Sequence, residues 1–413
     1  MLLNTRLKNN IRVVGEEVPF VRSVSIGIYI KNGSVDENLI NNGISHFIEH
    51  MFFKGTHTMT SKKLADDMAR IGGRVNAYTS KEYVCFYAHV LTEHFDEVLR
   101  ILSEMLQHSK IDPIDIEKEK DIILEEYSMY EDSPEEIVLD ELHTTVWPGH
   151  SLGYNIIGTK ENIRSMTKEK LHSYIDEHYV GDNIVISVVG NICFDDVAKK
   201  LEKAFSEIKK GSIITRNTSI QYVRGKKGFV KDVEQGHLAI AFPTIDYFSP
   251  DTYAVNVLSV LLGGGLNSRL FQSIREDKGL AYSIYTYVET FYTAGLFNTY
   301  AATNFNQIEE MYQAIMQEFE LLKRNGIDRI ELIETKEQIK SNLIIGMESM
   351  SSRMSHYGKD ELLTGKIRMQ DDLLEGLNQV SMDKVNELIQ NIFDMNQVTV
   401  TLASRDIAVL DVL

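Results

Sequence analysis

The order of predicted strands and helices occurs twice along the chain, and this repeat limits the fold more than any other feature. In the first half, a strand is followed by a helix near Gly43, a second helix, two strands and an amphipathic helix from Phe95. The second half gives the same order, from a strand over 237–243 to a helix near Phe305. Two copies of one α+β unit are therefore predicted.

The join between the copies is predicted in the polar, basic stretch 209–228. It gives an N-terminal domain over residues 1–213 and a C-terminal domain over residues 214–413. A chain of 413 residues is also longer than one ordinary hydrophobic core supports. Each domain is predicted to be α+β, with a mixed or antiparallel sheet covered by helices.

The segment GISHFIEHMFFKGT, residues 43–56, places two histidines and a glutamate on the first helix of the N-terminal copy. His46 and His50 lie about 40° apart on one helix face, and Glu49 lies about 60° to the other side of His46. Composition alone would give roughly 0.05 such H-x-x-[DE]-H matches in the chain. The pattern therefore predicts imidazole ligands for a metal and a carboxylate placed to act as general base.

A third ligand is required, because a catalytic zinc usually takes three protein ligands and keeps one position for water. The second copy has no histidine–glutamate set on its corresponding helix, so the site is expected only in the N-terminal domain. The candidates are carboxylates on the helix predicted over 113–131. Glu119 and Glu126 are seven residues apart and share a face, and Glu125 lies about 100° off that face. Spacing alone leaves the choice among these glutamates open.

Composition narrows the classes of partner. The formal net charge of −17 argues against nucleic acid and anionic membrane, and it is compatible with cationic peptides. No apolar run is long enough to span a bilayer, and residues 1–20 lack the features of a secretory or transit signal. Cys85 and Cys193 do not make a disulfide framework. We therefore expect a cytoplasmic protein without a membrane partner.

Five separate motifs, in the same order, resemble the pitrilysin-type (M16) zinc metallopeptidases, the inverzincins with an H-x-x-E-H helix. The motifs are GISHFIEHMFFKGT, GGRVNAYTSKEY, DIILEEYSMYEDSP, HSLGYNIIG and SRLFQSIREDKGLAYSIY. The resemblance covers nearly the whole chain. It is closest to the single-unit branch (M16B) that includes mitochondrial processing peptidase and its bacterial relatives. It implies a LuxS/metallopeptidase-like duplicated unit that forms half of a clam-like chamber.

The resemblance also implies roles for residues around the metal. His46, His50 and Glu126 would bind one Zn²⁺ per chain, with Glu126 in the place of the family's distal glutamate. Glu49 would be the general base. Glu119 matches a second glutamate that supports the site through its contact with a ligand.

Residues that meet the substrate are implied in the same way. Asn76, Ala77 and Tyr78 match an edge strand that pairs with the backbone of the substrate. Arg275 and Tyr282 match an arginine–tyrosine pair that the second half brings to the peptide, and Tyr282 would help to stabilise the tetrahedral oxyanion. Because an edge strand accepts only extended chain, the expected substrates are unfolded peptides, with basic, presequence-like peptides as a hypothesis.

The resemblance also concerns the number of chains in the assembly, and other functions are considered beside peptidase activity. Family members of about this length pair, whereas longer members fuse two such chains, so the resemblance implies a homodimer or a dimer with an inactive partner. Three other functions stay open: a non-catalytic subunit of the same fold, a module that captures basic peptides without cutting them, and a zinc hydrolase of small molecules. The non-catalytic relatives usually lose zinc ligands, whereas this sequence keeps His46, His50, Glu49 and Glu126.

Overall fold

Two mixed sheets are found in the computed structural model, which describes residues 2–216 and 219–411. The strands of the first are β1 (Leu2–Arg6), β2 (Arg12–Glu17), β3 (Ser23–Ile30), β4 (Arg74–Thr79), β5 (Val84–Leu91) and β6 (Ile184–Gly190). Their order is β1-β2-β6-β3-β5-β4, with β2 and β6 parallel. The strands of the second are β7 (Lys226–Val230), β8 (Gln235–Thr244), β9 (Ser283–Thr290), β10 (Gly295–Asn304) and β11 (Thr399–Ser404). Their order is β7-β11-β8-β10-β9, with β7 and β11 parallel.

Helices cover both sheets. They are α1 (Ile44–Phe52), α2 (Ser61–Ile71), α3 (Phe95–His108), α4 (Pro113–Glu131), α5 (Pro134–Val146), α6 (Lys160–Arg164), α7 (Lys168–His178), α8 (Phe194–Ala204), α9 (Thr252–Gly263), α10 (Ile308–Asn325), α11 (Arg329–Gly346), α12 (Met350–Leu363), α13 (Gln370–Gln379) and α14 (Met382–Ile392). Mixed sheets covered by helices confirm the predicted α+β class. Within the described residues, none of these helices combines the length and apolar character that crossing a bilayer requires.

The predicted repeat is present in the order of the elements. The first half runs β3-α1-α2-β4-β5-α3, and the second runs β8-α9, a short helix, then β9-β10-α10. The short helix, Phe271–Asp277, is π-helical.

Contacts divide the chain into two compact units, and each unit includes a helix from the other half of the sequence. The first unit contains 1–127, 154–216 and 345–368, and the second contains 128–153, 217–344 and 369–413. In the first unit, α12 packs on β3, β6 and β2. In the second, α5 packs on β11 and β8. The predicted boundary after residue 213 lies close to residues 216–217, where the chain passes from the first unit to the second. The placement of these two helices was not predicted, because the periodicity of a helix does not tell which sheet it covers.

The first sheet is covered on both faces, and the alternation of β3 shows how. Val24, Ile26, Ile28 and Ile30 belong to the hydrophobic core that includes α1. The intervening positions face α12, where Gly27 lies so close to Met354 that a Cβ atom would overlap the sulfur. Helices therefore lie on both sides of this sheet, with the core and α1 on one side and α12 on the other.

The N-terminus of α1 is held by a buried carboxylate. Glu37 accepts backbone hydrogen bonds from Gly43 at 2.7 Å and from Ser45 at 2.9 Å. Its burial raises the pKa of Glu37, whereas these donors lower it, and burial is the larger effect. Gly43 has φ of 96°, a conformation that favours glycine, and a Cβ there would meet Ile157 O at 2.6 Å. The start of the motif helix is thus fixed in direction and position.

Candidate metal centre

The packing of α1 leaves both motif histidines on one face. Ile44, Phe47, Ile48, Met51 and Phe52 are buried in the core of the first unit. His46 and His50 lie on the remaining face, with ring centroids 4.5 Å apart. Their side chains are 12% and 23% exposed, so a metal ion could reach both imidazoles from solvent.

Glu126 on α4 completes a set of three donors. One carboxylate oxygen lies 3.6 Å from His46 Nε2, and the other lies 3.5 Å from His50 Nε2. The three donor groups offer atoms within 4.8 Å of one another. These separations are long for hydrogen bonds. They fit ligands arranged around a tetrahedral zinc, where bonds of about 2.0–2.1 Å put ligand atoms about 3.3 Å apart. Glu125, the open alternative, is exposed and is not part of this set.

Burial prepares His46 to act as a ligand. Desolvation, followed by the charge of His50, lowers the pKa of His46 to about 3. Because its folded-state pKa lies well below the ordinary value, His46 is neutral throughout the physiological range. A neutral imidazole is the form that binds a metal.

Glu119 orients the second histidine. Its buried carboxylate lies 2.8 Å from His50 Nδ1 and 2.5 Å from Lys54 Nζ. Burial raises the pKa of Glu119, but the hydrogen bonds from His50 and Lys54 outweigh it, so the net shift is downward. An ionised Glu119 accepts the Nδ1 proton of His50 and leaves Nε2 free on the side of Glu126. The sequence did not single out Lys54, although it lies four residues after His50.

Glu49 lies beside the three donors but outside the cluster. Its carboxylate accepts a hydrogen bond of 2.5 Å from the Thr79 hydroxyl on β4. Burial raises the pKa of Glu49 above its ordinary value, while the bond from Thr79 lowers it. A carboxylate in this environment is well suited to take up a proton. Sequence reasoning missed Thr79, and the signal available was its place two residues after Ala77, on the same face of a strand.

The predicted substrate strand is β4, at one edge of the first sheet. Ala77 is buried against the core, while Asn76 is exposed. The Ala77 N–H donates a hydrogen bond to Asn76 Oδ1 at 2.9 Å. Tyr78 is half-buried and its ring lies 5.9 Å from that of Tyr83. The edge can thus offer backbone groups to an extended chain.

The structure describes Arg275 and Tyr282 in the second unit, whereas the three donors, Glu49 and Glu119 belong to the first. The Arg275 guanidinium lies 4.9 Å from the Phe271 ring centroid, and the side chain is 44% exposed. Tyr282 is 62% exposed. Both side chains are accessible, and their contact with a peptide stays a prediction.

Comparisons with known proteins identify a peptidase family and relatives of this chain. A family described as "Insulinase (Peptidase family M16)" matches residues 12–160, and a family described as "Peptidase M16 inactive domain" matches residues 165–339. An uncharacterized zinc protease of Bacillus subtilis is 42% identical over 95% of this chain and 96% of its own. One of Rickettsia felis is 33% identical over 98% of each chain.

Two solved structures share the fold. A protease from Helicobacter pylori matches with a TM-score of 0.91 at 22% identity, over 98% of this chain and 99% of its own. A peptidase M16 inactive domain from Pseudomonas fluorescens matches with a TM-score of 0.92 at 17% identity, over 99% of this chain and 98% of its own. At these identities the likeness concerns the fold alone.

Replacing Glu126 with Gln is expected to weaken zinc binding by more than about 100-fold. This is more than the usual loss of metal affinity when a residue that only hydrogen-bonds to a ligand is replaced. The reason is that a neutral amide is a poor substitute for a carboxylate ligand. Equilibrium dialysis followed by metal analysis measures the affinity. Glu125→Gln is the matched control, because it removes the same charge from the adjacent exposed position, and it should retain about one zinc per chain. Equal affinities in the two variants would show that Glu126 is not a ligand.

Proposed function

Because the chain belongs to peptidase family M16, we propose that it is a zinc-dependent endopeptidase that hydrolyses peptide bonds of unfolded or extended peptides. The observation that carries this proposal is the placement of Glu49 next to, but outside, the donors His46, His50 and Glu126. A carboxylate that ligates no metal yet borders the site is what hydrolysis by general base catalysis requires. The metal is zinc, one ion per chain, as the donor set and the names of the relatives both support.

The residues of the chain divide the chemistry among them. When bound, zinc supplies Lewis acidity that polarises the scissile carbonyl and acidifies a water molecule. Glu49 takes the proton of the attacking water and then donates it to the leaving amine. Thr79 holds Glu49 in place through its 2.5 Å hydrogen bond. Glu119 keeps His50 in the tautomer that leaves Nε2 for the metal. Tyr282 contributes a hydroxyl donor to the developing oxyanion.

The substrate binds as an added strand on β4. Asn76, Ala77 and Tyr78 lie on this edge strand, and their backbone groups would pair with the peptide. Arg275 would contact the peptide from the second unit. Only an extended segment can form such a ladder, so unfolded peptides and flexible protein ends are selected over folded protein.

Two chains form the working chamber in this proposal. Support comes from the resemblance to family members that pair, and the described residues contain one donor cluster per chain. A homodimer with two active sites follows, with an inactive partner of similar size as the alternative. A cytoplasmic location also stays a prediction. It is supported by the two cysteines, one buried and one exposed, because both are free and form no disulfide.

Replacing Glu49 with Gln is expected to reduce kcat on an unstructured peptide by about 10²–10⁴-fold, because the amide cannot accept a proton. Zinc content should be unchanged, since Glu49 is not a ligand. Turnover of a quenched fluorescent peptide and metal analysis measure both quantities. Glu125→Gln, on the exposed face of α4, should cleave at the wild-type rate. A wild type that binds zinc and cuts no peptide would instead identify a capture protein or a non-catalytic subunit.

Basic peptides are expected to be cleaved with a higher kcat/KM than acidic peptides of the same length, because the chain carries a net charge of −17. The difference should shrink as ionic strength rises from about 0.05 M to about 0.5 M, because salt screens long-range attraction. A glutamine-substituted peptide is the neutral control. Equal rates for basic and acidic peptides at every salt concentration would contradict the preference.

Sedimentation velocity is expected to show a species of about twice the chain mass of 47.1 kDa at concentrations where the peptidase is active. Activity should decline on dilution through the dimer dissociation range, because the chamber needs two chains. Adding bovine albumin at the same dilution controls for loss of protein to surfaces. An active monomer would refute the dimer.

A further inference from the structure

A cavity lies in the first unit, on the face of its sheet opposite to α1. We name it the α12 hollow; its volume is about 520 Å³. Helix α12 packs on β3, β6 and β2, and the hollow lies between this helix and strands β5 and β4. Its floor and wall include Tyr78, Cys85, Tyr87, Ser351, Ser355 and Lys359. The metal donors do not line it, so the hollow is separate from the metal centre.

The alternation of β4 connects the hollow to the proposed peptide. Ala77 packs in the core beside α1, and Thr79 bonds Glu49, so these positions face the metal side. Tyr78, which lies between them, faces the other side and lines the hollow. A peptide added to the edge of β4 would lie about 4.8 Å away and would alternate in the same way. Every second side chain of the peptide would therefore project toward the α12 hollow.

Lys359 brings a positive charge to the lining of the hollow. Lys359 is half-buried, and its ammonium lies 5.6 Å from the Tyr83 ring centroid. Among the described residues, Lys359 forms no ion pair with a carboxylate. His356 also lines the hollow, but its Nε2 contacts the Arg368 carbonyl at 2.7 Å. The neighbouring carboxylate of Asp360 is buried and paired with Arg368. Lys359 is thus the cation available to a ligand.

The rest of the lining mixes hydroxyl groups with aromatic and sulfur-containing side chains. The walls carry serine hydroxyls at Ser351 and Ser355 and tyrosine rings at Tyr78 and Tyr87. Hydroxyl groups donate hydrogen bonds to a carboxylate, and an ammonium strengthens such binding by its charge. A lysine or arginine in the same place would meet Lys359 as a like charge. The charge of Lys359 therefore favours a carboxylate over an amine in the hollow.

We propose that the α12 hollow is a specificity subsite for an acidic side chain, Asp or Glu, of the bound peptide, and that Lys359 determines this specificity. The proposal rests on the proposed function, because it assumes a peptide on β4. It concerns one position in register with the hollow. A peptide that is basic overall and carries one acidic residue at that position would satisfy both the long-range field and the subsite.

The test uses unstructured peptides that contain Glu, Gln or Lys at one position at a time along a common sequence. For the wild type, kcat/KM for Glu should exceed that for Lys by about threefold to tenfold at the position that enters the hollow. This is the size expected when one partly exposed charge attracts one residue and repels the other. The two adjacent positions should not show this Lys359-dependent preference, because their side chains project to the opposite side.

Two variants and a control assign the effect to Lys359. Lys359→Met should remove the preference for Glu at that position, and Lys359→Glu should reverse it in favour of Lys. Lys199→Glu is the control, because Lys199 is 79% exposed on α8 and gives the same change of net charge. It should keep the wild-type pattern. Lys359→Gln serves as a second neutral variant if Lys359→Met is poorly folded by circular dichroism.

The same peptides, labelled with a fluorophore, are also titrated by anisotropy against Glu49→Gln with and without the Lys359 changes. The ratio of the Kd values for the Glu and Lys peptides is the quantity compared. If this ratio changes when Lys359 is replaced, the subsite is supported even if no peptide is cut. In that outcome the proposed peptidase fails while the subsite stands. A preference that Lys359→Glu and Lys199→Glu change equally, or that occurs at no position, would overturn the subsite.

Discussion

Burial of one face of α1 against the first sheet is the contact on which the candidate site depends. Phe47 and Met51 are almost fully buried, so the helix cannot rotate without exposing them. The helical period then leaves His46 and His50 on the open side, where they meet Glu126. Each buried aromatic or methionine contributes about 1.5–3 kcal/mol to holding this orientation. Donor geometry therefore follows from core packing before any metal binds.

The two faces of the first sheet are different environments because different helices cover them. On one face the core and α1 bring the donors and Glu49 next to β4. On the other, α12 comes from the second half of the sequence and packs on the central strands. The close approach requires small residues: a Cβ on Gly27 would overlap Met354, and one on Gly358 would overlap the Tyr29 ring. An edge strand between two such faces can present alternate side chains of one peptide to two separate environments.

The parts of this structure that the sequence predicts are those with a local period. The motif helix follows from the spacing of its histidines and glutamate, and the paired strands around residues 74–91 follow from their alternating pattern. The long helix α4 follows from the start signal at Asp112 and Pro113. The exchange of α5 and α12 could not be predicted, because an amphipathic helix does not specify which sheet buries it. Among the site residues, spacing left Glu119, Glu125 and Glu126 as alternatives, and the family resemblance and the contacts in the fold distinguish them. Lys54 and Thr79 were missed because their roles arise from contacts between elements distant in sequence, through side chains whose type is common on any surface.

Glutamate illustrates why the fold must complete the assignment. Glu37 is buried against backbone donors and fixes the start of α1. Burial raises the pKa of Glu49, even though the Thr79 hydroxyl donates a hydrogen bond to it, and this suits Glu49 to accept a proton. Glu119 is held between His50 and Lys54, which lowers its pKa and keeps it ionised as an acceptor. Glu126 is partly exposed and faces both imidazoles. One residue type thus occupies four environments that suit the proposed roles of helix cap, base, orienting acceptor and ligand. Burial and hydrogen-bond partners decide how strongly each carboxylate holds a proton.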